Sequence, residues 1–162
     1  MSVNLDENKE RRATYITLIS LFTSALAVFS LTKGKKFNLR PFDLALLGLS
    51  TFRLGHLVAF DKVTEPIRKP FTETKDDPKG AGKIVVSKGS GARKALGELL
   101  SCPICAGTWI AAGLVYGLHI IPGPTRVVLA IMSSVGLAEW LNSASEAMKW
   151  TGQARRQEAA SH

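Results

Sequence analysis

The sequence predicts an all-α fold, a polytopic transmembrane helical bundle with about four membrane-spanning helices. Three observations carry this. The 34 charged residues are clustered, and only Asp43, Arg53, Arg126 and Glu139 fall outside residues 1–12, 33–40, 61–101 and 146–162. Between the clusters lie apolar blocks of about 19 residues, close to the length a helix needs to cross a bilayer core. Small residues recur inside two of these blocks, which suits close helix packing in lipid but is costly inside a water-soluble helix. This distribution excludes intrinsic disorder and a collagen-like chain. The length of 162 residues excludes two ordinary globular domains.

The elements follow in order. Residues 1–12 read as a charged cytoplasmic tail. Residues 13–32 carry no charge and read as the first membrane helix, bracketed by Arg11 and Arg12 before it and Lys33, Lys35 and Lys36 after it. A cleaved signal peptide is the competing reading, but its apolar region spans roughly 7–15 residues. Residues 42–60 read as the second crossing although Arg53 and His56 lie inside it. An intramembrane Arg costs about 2.5–3.5 kcal/mol on insertion scales, a cost the leucines between Leu44 and Leu57 offset. A buried or interfacial amphipathic helix competes with this reading.

Residues 61–101 form a cytoplasmic loop. Its first part, 61–79, mixes both signs of charge with three prolines, which forbids a long helix. Residues 80–91 are glycine-rich and basic, and read as a flexible linker attracted to anionic lipid heads. Gly82-Lys83 is no phosphate loop, because Asp77 and Ile84 stand where that motif needs Gly and Ser or Thr. Residues 92–101 form a short interfacial helix with Leu96, Leu99 and Leu100 on one face. Residues 103–121 and 126–144 are the third and fourth membrane helices, joined by a tight turn at Pro122-Gly123-Pro124. Residues 146–162 are a cytoplasmic tail.

Four crossings put the N-terminal tail, the 61–101 loop and the C-terminal tail on one side. That side holds 15 Lys and Arg against five on the other, so the positive-inside rule places both termini in the cytoplasm of a multi-pass plasma (inner) membrane protein. Helices two and four then run in the same direction, which brings Arg53 and Glu139 to similar depth. Intramembrane charges face the bundle and pair, so Arg53 is expected to meet Glu139, with His56 extending the network one turn away. A proton relay and plain structural glue both fit such a network. Tyr15, Trp140 and Trp150 sit near the inner boundary, as an aromatic belt requires.

The only two cysteines form Cys102-Pro103-Ile104-Cys105 at the start of helix three. Proline suits a first helical turn, and a thiol at a helix N-terminus is activated. A dithiol redox site, a zinc site with ligands from elsewhere and a reduced packing pair all fit this weak motif.

Phe42-Asp43-Leu44, Leu47-Gly48-Leu49, Thr51-Phe52-Arg53-Leu54, Asp61, Glu65-Pro66-Ile67-Arg68 and Phe71, with Gly97-Glu98-Leu99-Leu100, Cys102-Pro103-Ile104-Cys105, Gly107 and Trp109, resemble one small membrane-protein family. It is the family known as domain of unknown function 1360, and the resemblance covers roughly residues 40–145. It implies a membrane protein of spore-forming bacteria, actinobacteria or their phages, with a link to sporulation and no established activity. The chain departs from the pattern at His56, where a second Arg is expected, in the stretch 74–91, and in the helix at 13–32. The family's polar positions share one side: Arg53, His56, Asp61, Glu65, Arg68, Glu98, Cys102 and Cys105 map to the inner half of the bundle or its cytoplasmic rim. Such a cluster fits a ligand, a metal or a partner's tail, and equally a tie between loop and helix ends.

No nucleophile with its base, paired carboxylates or complete metal site can be assembled. The expected function is therefore non-enzymatic and cofactor-free: a scaffold, accessory or assembly subunit in a bacterial or phage membrane. Its partners are the lipid bilayer and other membrane subunits or further copies of itself. A thiol-redox or metal-binding protein using Cys102 and Cys105 is the first alternative, and a holin-like pore-former the second. The net charge of +8 invites a nucleic-acid reading. Its place on one membrane face instead fits orientation and lipid contact.

Overall fold

The computed structural model describes residues 2–33, 38–76 and 83–160. Six α-helices occur among them: α1 (Ser2–Lys33), α2 (Pro41–Phe60), the single turn α3 (Glu65–Arg68), α4 (Gly91–Ser101), α5 (Pro103–Ile120) and α6 (Pro122–Ala160). A short 3-10 turn, Lys62–Thr64, precedes α3. Strands β1 (Thr72–Asp76) and β2 (Lys83–Ser87) form one antiparallel hairpin, with Thr72 opposite Ser87 and Asp76 opposite Lys83. Helices α1, α2, α5 and α6 are long and apolar enough to cross a membrane.

The core lies where α2, α5 and α6 meet, at Leu47, Leu114 and Leu129. Leu46, Leu54, Ile110, Val115 and Leu118 pack around it. The buried Ser50 hydroxyl donates to Leu129 O at 3.1 Å, fastening α2 to α6. Two glycines let backbones touch. A Cβ at Gly55 would lie 2.7 Å from Pro103 O, and one at Gly136 would lie 2.8 Å from Leu49 O. Large apolar side chains such as Ile16, Phe42, Val127 and Trp140 point outward. Water would penalise such a surface and lipid accepts it.

Ring contacts fix the direction of α1. Phe22 meets Trp109 at 5.2 Å between centroids, and Phe29 meets Tyr116 at 4.4 Å. Both pairs advance by seven residues, so α1 runs parallel to α5. Contacts of Gly55 with Pro103 and of Gly107 with Thr51 run α2 antiparallel to α5. The start of α1, the end of α2, the hairpin, α4 and the continuation of α6 therefore share one end of the bundle.

Several boundaries differ from the sequence reading. The tail expected at 1–12 continues α1, because it packs on α4: Glu7 faces Lys94 at 3.9 Å and Arg11 faces Glu98 at 3.7 Å. The stretch 80–91, read as a linker, contains β2. Its Ile84-Val85-Val86 run suits a pleated strand, and the glycine content concealed it. In α4 the buried positions are Gly91, Ala95 and Gly97, because α4 packs on α1 and the hairpin; Leu96, Leu99 and Leu100 are half-buried. The turn expected at Pro122–Pro124 is the first turn of α6, where prolines lose no helical hydrogen bond. Only Ile121 separates α5 from α6, with its N–H donated to Gly117 O at 2.8 Å. The tail expected from 146 continues α6 to Ala160, since from residue 146 on only Gly152 opposes helix.

Candidate functional site

The polar groups of the bundle gather where α2 ends. A helix C-terminus leaves carbonyls without helical partners, and the segment after α2 folds back to meet them. Arg68, only 5% exposed, donates through Nη1 to Asp61 O at 2.8 Å, Val58 O at 3.3 Å and Thr64 Oγ1 at 3.2 Å. Its Nη2 donates to Phe60 O at 3.2 Å. The Thr64 hydroxyl adds a bond to Leu57 O at 2.5 Å. A cation at the negative end of α2 is favourable in its own right. Arg68 thus caps α2, while Glu65 of the same turn stays exposed.

Arg53, one helical stretch earlier, reaches the same region. Its Nη2 donates to Asp61 Oδ2 at 2.5 Å, and its Nε lies 3.6 Å from Glu139 Oε2. The structure therefore brings Arg53 and Glu139 together, with Asp61 as the nearer partner. Glu139 Oε2 is buried and has no hydrogen bond among the described residues. The Glu139 side chain as a whole is 42% exposed, at the edge of the contact between α6 and α2. His56 does not join this network. It sits between the rings of Phe52 and Phe60, with Nδ1 3.1 Å from Phe52 O. Three residues past Arg53 is about 60° round the helix, which turns His56 towards α1.

The remaining rim residues divide between two places. Glu98 accepts a hydrogen bond from the Tyr15 hydroxyl and pairs with Arg11, binding α4 to α1. Cys102 is the N-cap of α5, and its Sγ accepts the Cys105 N–H at 3.3 Å. Both cysteines are free. Hydrogen bonds from the Cys105 thiol and then its backbone N–H hold the Cys102 thiol below its ordinary pKa. Among the described residues no cluster of three or more His, Cys, Asp or Glu is placed to hold a metal ion. The rim cluster is thus three separate contacts: Arg53–Asp61–Glu139 with the Arg68 cap, Glu98 with α1, and the cysteine pair.

Sequence reasoning missed the cap and the cavity. Asp61 and Arg68 stood out only as family positions, and nothing local says that Arg68 turns back on Val58 and Phe60. Between α1, α2 and α5 lies an open cavity of about 920 Å³, lined almost wholly by apolar groups and including His56, Thr51 and Thr108. It depends on the placement of three helices, which no sequence spacing encodes.

Fold and site together define a class: a small polytopic helical membrane protein with its polar groups collected at one end of the bundle. The chain belongs to the family described as protein of unknown function (DUF1360), which matches residues 46–145. It is 38% identical over 98 residues to a protein named sporulation protein YjcA from Bacillus subtilis (strain 168), covering 59% of this chain and 83% of that one. It is 35% identical over 102 residues to UPF0713 protein YngL of the same organism, covering 58% and 73%. No solved structure matches the chain.

Proposed function

We propose that the chain is a non-enzymatic assembly or accessory subunit of a bacterial plasma membrane, with both termini and residues 61–101 in the cytoplasm. Glu139 is the observation that carries this reading. A carboxylate on a spanning helix that turns one oxygen inward to Arg53 and leaves 42% of its side chain exposed is costly in lipid unless a partner meets the exposed part. Arg53 approaches Glu139 to 3.6 Å without a hydrogen bond, so the exposed part of this carboxylate, at the edge of the α2–α6 contact, suits a membrane partner with a basic or hydrogen-bonding side chain at that depth. The likeness to a relative named for sporulation makes sporulation the context to test first.

The test is in-cell photo-crosslinking from Val135, one turn above Glu139. Adducts to a defined membrane protein that Glu139→Gln reduces are expected. Turnover of a thiol or quinone substrate by the purified protein would overturn the non-enzymatic reading. For orientation, a cysteine placed at Ser90 in a chain otherwise lacking cysteine stays unlabelled in intact cells. Its labelling from outside would reverse the orientation.

A second reading rests on Cys102, whose sulfur accepts the Cys105 N–H at the start of α5. A thiol-redox or metal-binding role for this pair predicts loss of function or of bound metal in the double Ser variant. Full retention of both disposes of it.

A further inference from the structure

We propose that the cavity between α1, α2 and α5 is a binding site for a long-chain neutral lipid whose head is a small uncharged hydroxyl. The site is built for this chemistry in four respects. Its volume of about 920 Å³ lies near the top of the roughly 300–1,000 Å³ range of small-molecule pockets. Its floor is made by Gly48, Gly107, Ala111 and Ala112, and α1 supplies Phe22 and Leu26 as the facing wall. A floor of small residues in two helices that otherwise carry Leu, Ile and Val leaves room for a chain. A Cβ at Gly48 would meet nothing within 4 Å.

The polar groups lie towards one end. His56 lines the cavity four residues before the end of α2, about 6 Å along the helix axis and near the polar end of the bundle. With its Nδ1–H donated to Phe52 O, its Nε2 is left as a hydrogen-bond acceptor. An acceptor at that place suits a hydroxyl. From His56 to Gly48 the cavity runs eight residues, about 12 Å, along which apolar groups face it together with Thr51 of α2 and Thr108 of α5, whose hydroxyl is turned to Ile104 O of its own helix. The chain of the ligand lies there.

Charge settles the head group. No Lys, Arg, Asp or Glu lines the cavity. A phosphate head placed in it would lose its water and gain no counter-charge, which is strongly unfavourable. A phospholipid is therefore a poor occupant, whereas an amphiphile such as a diacylglycerol or prenol loses little.

The test uses the full chain in phosphatidylcholine vesicles doped with a photoactivatable diacylglycerol. Adducts are expected on the α2 and α5 peptides that contain Gly48 and Ala112, displaced by unlabelled diacylglycerol. Gly48→Phe fills the cavity and is expected to lower labelling at least tenfold. Gly113→Phe is the control: Gly113 is exposed on α5, also with nothing within 4 Å, and lies outside the cavity, so labelling is unchanged. Ala112→Leu serves as a second filling variant should Gly48→Phe not fold. His56→Phe removes the acceptor at similar bulk and is expected to weaken labelling about fivefold, the equivalent of one ordinary hydrogen bond. Labelling of both filling variants as strong as wild type would overturn the site. So would equal displacement by excess phosphatidylcholine, the behaviour of ordinary boundary lipid.

Discussion

Arg53 stands between two carboxylates, and their geometry ranks them. To Asp61 it makes a 2.5 Å bond, a charge-assisted hydrogen bond of a kind worth about 1.5–3 kcal/mol. To Glu139 it has a 3.6 Å ion contact without a hydrogen bond. Coulomb's law gives about 5 kcal/mol for that separation at an effective dielectric of 20 and about 1 kcal/mol in water. Glu139 is 42% exposed while Arg53 is 17% exposed, so screening at the more exposed carboxylate brings the contact towards the lower figure. The expected coupling energies are about 2 kcal/mol for Arg53 with Asp61 and under about 1 kcal/mol for Arg53 with Glu139. Arg53→Leu should cost about 2–3 kcal/mol in all, because it strands a carboxylate at the helix end.

The assay is reversible unfolding in mixed micelles, followed by far-UV circular dichroism, for Arg53→Leu, Asp61→Asn, Glu139→Gln and the two double variants. A coupling to Glu139 larger than that to Asp61 refutes the ranking. An Arg53→Leu protein within about 0.5 kcal/mol of wild type refutes the pair altogether, since surface changes normally stay in that range.

Arg68→Met should destabilise the chain by about 2–3 kcal/mol, because Val58, Phe60 and Asp61 lose their cap. Faster hydrogen exchange confined to residues 57–72 is the signature, and unchanged exchange there contradicts the capping role. Gly136→Leu drives a side chain into Leu49 O and should lower the unfolding midpoint sharply, whereas Gly113→Leu leaves it near wild type; equal midpoints would remove the close approach. Cys102, deprotonating below the ordinary thiol range, should be alkylated with a midpoint at lower pH than a free cysteine. Because the Cys105 thiol is the largest cause, Cys105→Ala, which removes the donor, should move that midpoint up, and a midpoint that stays put denies the thiol–thiol bond.

The four long helices were legible because lipid imposes one simple demand, about 20 apolar residues per crossing, and charges mark where each block stops. The helix ends were not. Charged residues read as tails, yet Glu7 and Arg11 extend α1 because Lys94 and Glu98 of α4 await them, a contact 87 residues away in the chain. The hairpin was hidden for a related reason, since Lys83–Ser87 becomes a strand by pairing with Thr72–Asp76. At the site, depth and direction were enough to bring Arg53 beside Glu139, since both follow from counting residues along helices. Asp61 took the stronger bond because it sits at the very end of α2, where the chain turns back. His56 shows the limit of counting. A spacing of three residues suggested a shared face, but the 60° offset and the rings of Phe52 and Phe60 turn it to the cavity.

The family match begins at residue 46, so α1 lies outside it while α2 from Leu46 onward, α5 and most of α6 lie within. This divides the molecule physically as well. The core joins α2, α5 and α6, and the Arg53 cluster and the α2 cap need nothing from α1. Helix α1 is attached at its start, through ion pairs and Tyr15 to α4, and along its length by Phe22 and Phe29 against α5. Its apolar stretch is otherwise left uncovered. The cavity forms at this seam: two of its walls belong to the family region and the third, Phe22 and Leu26, to α1. A helix needed only for stability would press its whole length against α2 and α5. By standing off it leaves a space at bilayer depth, and this is why the seam, more than the charged rim, is the part of the molecule suited to hold a ligand.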